Sequence, residues 1–262
     1  MTPDPFAIVP FSDSADEAVW ELYHENSKAT MFERLPSNER VSARMTANAD
    51  VLPYDGYPAL NLPEPEPLEK PLGETIRARR TGRGLRRCAM TLPRLASLLH
   101  HAYGVTHDLT AEGYPYPFRA VPSGGALYPL ELFVHAPRTD DLPPGIYHYN
   151  PRRNAIARVV DGDRSESLAR ALVQPALASD AALFFFITAM FERTTFKYGE
   201  RGYRFTLLEA GHVAQNLCLC ATALDLAAIC VGGFFDTPLN ELLRMDGLTH
   251  ATVYLVGIGA PA

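Results

Sequence analysis

The chain has 262 residues, 47% of them hydrophobic, and a formal net charge of −6. This length supports a substantial apolar core, as one domain or as a domain with an appendage, and the mildly acidic balance excludes a global basic field that would draw the protein to nucleic acid or an anionic membrane. No apolar run is long enough to span a bilayer as one uninterrupted helix, and the N-terminus lacks the basic start and apolar run of a signal peptide, so the cytoplasm is the expected compartment.

Within residues 1–35 the spacing predicts one helix, capped by Ser14, with Ala18, Val19, Leu22 and Tyr23 at helical intervals. Residues 50–71 contain Pro53, Pro58, Pro63, Pro65, Pro67 and Pro71, too many for a helix or a central strand. They read as an extended arm docked through Val51, Leu52, Tyr54, Tyr57, Leu60 and Leu62, in preference to a disordered spacer. Helices are predicted over 74–80 and from Thr91, the second with Pro93 in its first turn, Gly104 past its end and an apolar face of Leu92, Leu95, Leu98, Leu99 and Ala102. A loop rich in Gly, Tyr and Pro runs from Gly104 to Pro122.

A strand is predicted at Leu130–Ala136, followed by a hairpin of 146–149 with 155–160, turned at Asn150-Pro151, and a short helix over 165–173. Residues 181–190, AALFFFITAM, form a continuous apolar run, as expected of a strand buried on both faces. The longest helical signal, from about Arg204 to Leu226, is small and apolar nearly all round and is expected to be buried in a core or at a subunit interface. A strand at Ala227–Val231 ends at Gly232-Gly233, Thr237 caps a helix through Leu243 with Pro238 first, and the last strand covers 251–258. Helices and strands mix without regular alternation, which favours an α+β fold with a mostly antiparallel sheet. Cys88, Cys218, Cys220 and Cys230 show neither a disulfide framework nor metal spacing and read as small buried hydrophobes in a reducing compartment.

Four segments carry candidate chemistry. RARRTGRGLRR, Arg77–Arg87, sets six arginines near a helix end with glycines between them. Guanidinium groups pair bidentately with phosphate oxygens, so this is a phosphate site, or else a solvated basic turn or nucleic-acid contact. In PSGGALYPLE, 122–131, Pro122, Ser123, Gly124 and Gly125 enter a strand directly. Glycines there allow positive φ or close approach of a flat ligand, the alternative being a plain tight turn. Lys197 and Tyr198 lie between a buried strand and the long helix, able to move a proton, or else an ordinary loop lysine beside a packing tyrosine. Gly232-Gly233 offers backbone N–H groups after a buried strand, or is only its turn. No H-E-x-x-H, P-loop, G-x-S-x-G elbow or G-x-G-x-x-G fingerprint is present.

In this order the four motifs resemble the nitroreductase superfamily, and within it the SagB-type dehydrogenases, which oxidise azolines to azoles in peptides. Arg79-Arg80-Thr81-x-Arg83 is similar to the family's Arg-Arg-Ser-x-Arg, which holds the FMN phosphate and part of the flavin. The 122–131 segment resembles the loop lying along the flavin, and 209–234 resembles the long interface helix whose Gln-Asn pair, here beginning at Gln215, and terminal Gly232-Gly233 contact the ring. Lys197-Tyr198 matches the subfamily's catalytic pair, and LYHENSK, 22–28, is similar to a segment that precedes such domains.

The resemblance covers about residues 70–260 and implies residues 1–70 as a helical segment and Pro-rich arm, with 71–262 as an FMN-binding nitroreductase-like domain. It implies a mostly antiparallel central sheet flanked by helices, a long buried interface helix, and a homodimer. The implied substrate is a peptide or carrier-bound azoline, with a cyclodehydratase as a candidate partner and neither nucleic acid nor membrane involved. An NAD(P)H-dependent nitro- or quinone reductase and a flavin-free scaffold subunit are the alternative readings. Many relatives continue past the last strand with basic residues for the phosphate, so here the phosphate is expected to depend more on Arg79–Arg87, and the short N-terminal region leaves no room for a clear peptide-binding domain.

Overall fold

A computed structural model describes residues 19–31 and 35–262. The proposed cap Ser14 lies outside the described residues. The first elements are α1 (Val19–Asn26) and α2 (Asn38–Ala47), the second capped by Ser37, whose side chain accepts from the Arg40 N–H. Val19 and Leu22, placed on an apolar helical face by spacing, are instead exposed, and no residue of α1 is buried. Helix α2 carries no strong apolar periodicity beyond Val41 and Met45, and the sequence reading missed it.

The Pro-rich arm is packed. Val51 and Leu62 are buried, whereas Tyr57 and Leu60, expected to dock as well, are exposed, and residues Ala59–Asn61 form β1, an edge strand antiparallel to a later strand. Pro58, which cannot donate to a ladder, accepts at its carbonyl from Arg158 N–H at 2.9 Å, as suits an edge position. Then come α3 (Leu72–Ala78) and α4 (Leu92–Tyr103). Thr91 caps α4 through its side chain, and Leu95, Leu98, Leu99 and Ala102 are buried as the spacing predicts. The Gly-Tyr-Pro loop contains a small two-stranded ribbon, β2 (Val105–His107) with β3 (Phe118–Arg119).

The remaining elements are β4 (Leu130–Ala136), β5 (Gly145–Asn150), β6 (Ala155–Asp161), α5 (Ser165–Ala171), α6 (Leu177–Asp180), β7 (Leu183–Met190), α7 (Glu192–Tyr198), α8 (Glu200–Ala223), β8 (Ala227–Val231), α9 (Asp236–Leu242) and β9 (His250–Gly259). The seven-stranded sheet has the order β1-β6-β5-β4-β7-β9-β8, and every ladder in it is antiparallel. Strand side chains alternate between two cores. Leu132, Val134, Phe185, Ile187, Val256 and Ile258 face the core shared with α4 and α8, whereas Phe133, Phe184, Phe186 and Leu255 face the core shared with α5, α6 and α9. Both faces are covered, which is why every residue of β4 is buried, Glu131 and His135 included, and why β7 is an apolar run broken only by Thr188.

Three expectations need correction. The segment holding Lys197 and Tyr198 is a short helix, α7, and α8 starts at Glu200 rather than Arg204, the break being Gly199 at φ 53°. Helix α8, expected to be buried in a core or at a subunit interface, packs one face inward in the single chain and leaves the other exposed. Thr206, Glu209, Ala210, Val213, Ala214, Leu217 and Ala221 pack inward, while Tyr203, Leu207, Leu208, Gly211 and Gln215 are exposed. Apolar residues on both sides, Leu207 and Leu208 outward and Val213 and Leu217 inward, conceal in the sequence which face a neighbour covers. Helix α9 begins at Asp236 after Phe235, with no side-chain cap from Thr237. Among the described residues no helix is long and apolar enough to cross a membrane.

Candidate active site

The loop after Pro122 tightens into a single turn. Ser123 is extended, Gly125 has φ 68°, and the Ser123 carbonyl accepts from Ala126 N–H at 3.0 Å. The Ser123 hydroxyl accepts from Tyr128 N–H at 2.9 Å, locking the turn to the start of β4. Lys197 and Tyr198, at the C-terminal end of α7, come down on this turn. A Cβ built on Gly125 would stand 2.6 Å from the Tyr198 hydroxyl and 2.7 Å from Lys197 Nζ. One on Gly124 would stand 3.1 Å from the Phe205 ring, which itself packs edge-on against Tyr198 at 5.0 Å. The Lys197 ammonium lies 5.0 Å from the centre of the Tyr198 ring. The loop, the end of α7 and the start of α8 thus form one site, with a half-buried amine and phenol above a backbone that admits no side chain.

Behind this loop is a buried polar layer that sequence reasoning missed. Tyr103 donates to Glu209 Oε1 at 3.1 Å, and Arg119 lies between the rings of Tyr103 and Tyr128 at 4.6 and 4.8 Å. Arg119 also donates to the Asp50 carbonyl at 2.9 Å, tying the arm to the layer. Burial raises the Glu209 carboxyl to about 7 despite opposing contributions from Ser123, Arg119 and Tyr103. Glu131 is the contrasting case. Burial works against its ionisation, but Arg193 at 2.7 Å and His148 at 2.6 Å outweigh burial and hold it at about 2. Leu52 N–H also reaches Glu131 at 2.9 Å. The available signal is a Glu on the inward stripe of a helix whose other inward residues are small or apolar, and another at the second position of a buried strand.

The arginine turn lies at the other end of α8. Thr81 bridges Ala228 in parallel, and Gly82 N–H donates to the Ala228 carbonyl at 2.8 Å. Gly82 is required by close approach, since a Cβ there would meet Leu85 at 2.8 Å and Ala227 at 3.0 Å. Arg79, Arg80 and Arg83 make no ion pair with any carboxylate among the described residues. Arg86 and Arg87 are engaged in the fold instead, Arg86 on the Pro261 carbonyl and Arg87 on the carbonyls of Ala181 and Ala178 and the Ser165 hydroxyl. Arg77, Arg79, Arg80 and Arg83 are thus the arginines of the cluster without a carboxylate partner among the described residues, and Arg79, Arg80 and Arg83 with the Thr81 hydroxyl carry the charge and donors that fit a phosphate. Arg80, Thr81 and Arg83 line an open pocket with Thr222, Ala227 and Pro261.

Gly232 and Gly233 follow β8 and are exposed, with Gly232 open on its Cβ side and the Gly233 carbonyl accepting from Val173 N–H at 3.0 Å. Gln215 is exposed on the outward face of α8. Within one chain these residues do not share one pocket. Phe205 marks the Lys197-Tyr198 end and Thr222 the arginine end of the same helix, about 25 Å apart at 1.5 Å per residue. Between β8 and α8, Cys230 Sγ lies 3.5 Å from Cys218 Sγ, a pairing that spacing along the chain did not disclose.

The chain spans 89% of a Methanocaldococcus jannaschii protein named as a nitroreductase, MJ1384, to which it is 37% identical over 186 residues, 71% of its own length. It is 33% identical over 149 residues to the microcin B17-processing protein McbC of Escherichia coli, covering 54% of each chain. It is 37% identical over 113 residues to the trifolitoxin-processing protein TfxB of Rhizobium leguminosarum, 41% of this chain and only 30% of that one. Among solved structures it superposes on a nitroreductase from Anabaena variabilis with a TM-score of 0.71 at 22% identity, over 92% of this chain and 47% of that one. It also superposes on a chain of the E. coli microcin synthetase McbBCD complex with truncated pro-MccB17 bound, with a TM-score of 0.58 at 22% identity over 96% and 85% of the two chains. At these identities the superpositions speak for the fold. The nitroreductase family model matches residues 76–260, and the chain belongs to the nitroreductase family.

Proposed function

We propose that this chain is an FMN-dependent dehydrogenase that converts thiazoline or oxazoline rings in a peptide or carrier-bound substrate to thiazole or oxazole. The observation that carries the reading is the convergence of Lys197 Nζ and Tyr198 OH on Gly125, in the loop that a flat cofactor would lie along. Aromatising an azoline removes one proton and one hydride from adjacent ring atoms, and FMN supplies a hydride acceptor when bound. Lys197 or Tyr198 takes the proton or stabilises the charge that develops. Arg79, Arg80, Thr81 and Arg83 hold the phosphate. Gly232-Gly233 and Gln215 donate to the ring, and Pro122, Ser123, Gly124 and Gly125 provide the surface against which it lies.

The roughly 25 Å along α8 from Phe205, beside the Lys197-Tyr198 end, to Thr222, beside the arginine turn, is longer than a mononucleotide. A homodimer in which the outward face of α8 meets its copy would bring the loop of one chain toward the arginine turn of the other. That face carries Tyr203, Leu207 and Leu208, all exposed in the single chain. The microcin-processing relative, and a structural neighbour that sits in a multi-subunit synthetase with pro-microcin bound, favour a peptide substrate and a cyclodehydratase partner. The MJ1384 relative, covered over most of its length, favours the second reading, a general NAD(P)H-dependent reductase.

The test is direct. Purified protein should carry or take up FMN by its absorption spectrum, oxidise a thiazoline peptide, and lose that turnover on Lys197→Ala while still binding FMN. Rapid NADPH oxidation with quinones and no azoline turnover would establish the reductase instead. A flavin-free protein with no affinity for FMN would leave only a scaffold role.

A further inference from the structure

The thiols of Cys218 and Cys230 take no part in the chemistry above, yet the fold brings them together. Strand β8 turns back along α8 through residues 224–226, where Asp225 takes φ 58° and Leu226 N–H donates to the Ala221 carbonyl at 2.8 Å. Side chains alternate along β8, so Ala228 and Cys230 face the core shared with α8, while Ala227, Ile229 and Val231 face the other core. Cys218 lies on the inward stripe of α8 and is 5% exposed. Both cysteines are free, and their sulfurs, twelve residues apart in sequence, meet at 3.5 Å.

The sulfurs of a disulfide lie about 2.05 Å apart, so this pair needs an approach of only about 1.5 Å, which small rotations of the two side chains supply. Cys230 is partly exposed and Cys218 is buried, so a small oxidant reaches Cys230 first. The hydrogen bond between the sulfurs lowers the Cys230 thiol and so favours its thiolate.

The pair sits beneath the arginine turn. The Cys218 carbonyl accepts from Thr222 Oγ1 at 2.8 Å, and the Ala228 carbonyl, two residues before Cys230, accepts from Gly82 N–H at 2.8 Å. Thr222, Leu226 and Ala227 lie inside the loop that a Cys218–Cys230 bond closes, and they form one wall of the pocket lined by Arg80, Thr81 and Arg83.

We propose that Cys218 and Cys230 are a reversible dithiol–disulfide site, oxidised by small-molecule disulfides of the glutathione class, and that the bond fixes the wall of the arginine pocket formed by the turn from α8 to β8. The site does not depend on what that pocket binds. The Cys230 thiolate attacks one sulfur of the small disulfide, whose S–S bond breaks and whose other half leaves as a thiolate. Cys218 then gives up its proton and attacks Cys230 Sγ, and the second half leaves. The two departing thiolates take up the two protons that Cys230 and Cys218 lost. Two protein thiols are oxidised to one disulfide, and one small disulfide is reduced to two thiols. A dithiol reductant runs the exchange backward.

The experiment treats reduced wild-type protein with glutathione disulfide, blocks the remaining thiols with N-ethylmaleimide, and cleaves the chain before its aspartates. Asp225 lies between the two cysteines, so a Cys218–Cys230 bond joins two peptides that otherwise separate. The expected product is that joined pair, with Cys220 blocked by maleimide, and dithiothreitol should part it. Cys220→Ala should still form the bond and Cys230→Ala should not. Oxidised wild type should melt roughly 5–10 °C above the reduced protein, the effect of closing a loop of this length in a chain of this size. Cys230→Ala should melt alike before and after treatment. Glutathione retained on Cys230 with Cys218 still free, or four unreacted thiols in a large excess of oxidant, overturns the site. A bond from Cys230 to Cys220, or between chains, overturns the pairing. A Cys218–Cys230 bond that leaves the melting temperature unchanged or lower overturns the hold on the pocket wall.

Discussion

Tyr198 and Gly125 are so placed that one methyl group on the glycine would stand 2.6 Å from the phenol oxygen. Gly125 is also at φ 68°, a conformation strained for any residue with a side chain. Gly125→Ala should therefore displace Tyr198 and Lys197 together. We expect at least a tenfold loss of azoline turnover with a stability cost of about 1–3 kcal/mol, checked by single-turnover kinetics beside a thermal melt. Unchanged turnover would separate the Lys-Tyr pair from the loop.

Arg79, Arg80 and Arg83 have no carboxylate partner among the described residues, whereas Arg87 is bound into the fold. Replacing Arg79 or Arg83 by Gln should weaken FMN binding by roughly ten- to a hundredfold, the range of one charge-assisted hydrogen bond. Riboflavin, which lacks the phosphate, should bind the variants and wild type alike. Arg87→Gln should instead lower the melting temperature with little effect on affinity. Equal losses for FMN and riboflavin would remove the phosphate assignment.

Leu208 is 60% exposed on α8, so Leu208→Asp should leave the fold of one chain within about 0.5 kcal/mol of wild type. If this face meets its copy, the substitution buries a charge and should yield monomers by light scattering, with FMN affinity lost alongside. A variant that stays dimeric and yellow would move the interface elsewhere.

Acid stability tests the layer beneath the arm. His135 and His250 are pushed down to about 4 by burial, and Glu131 is held at about 2 by Arg193 and His148 against the effect of burial. All three have folded pKa values below their unfolded ones. Their stabilisation is present above the unfolded pKa and lost as pH falls, from 6.5 toward 4 for the histidines and from 4.5 toward 2 for Glu131. The urea midpoint should decline over that whole range. Glu131→Gln should cost on the order of 3 kcal/mol at pH 7, because Arg193 is left buried and unpaired, and should flatten the profile below pH 4.5.

The thiols offer a fifth check. Cys218 and Cys230 share a hydrogen bond at 3.5 Å that lowers the Cys230 thiol and raises the Cys218 thiol, and Cys230 is the less buried of the two. Iodoacetamide should label Cys230 first, with a rate midpoint below that of an ordinary thiol, and Cys218→Ala should shift that midpoint upward. Peptide mapping that finds Cys218 labelled first would reverse the direction of the two shifts.

Local pattern determined a great deal here. The strand β4, the apolar run of β7, the Thr91 cap and Pro93 of α4, the hairpin about Asn150-Pro151, and the residue types of the four site motifs are all legible in sequence, because periodicity, caps and turn residues act over a few neighbouring positions. What only the tertiary structure decided are the meetings of distant segments: Lys197 and Tyr198 with Gly125, Cys218 with Cys230, Glu209 with Tyr103, and the exposed side of α8. Apolar residues on both faces of α8 leave its orientation to the sheet it packs on, and a buried carboxyl is recognised only once its surroundings have excluded water.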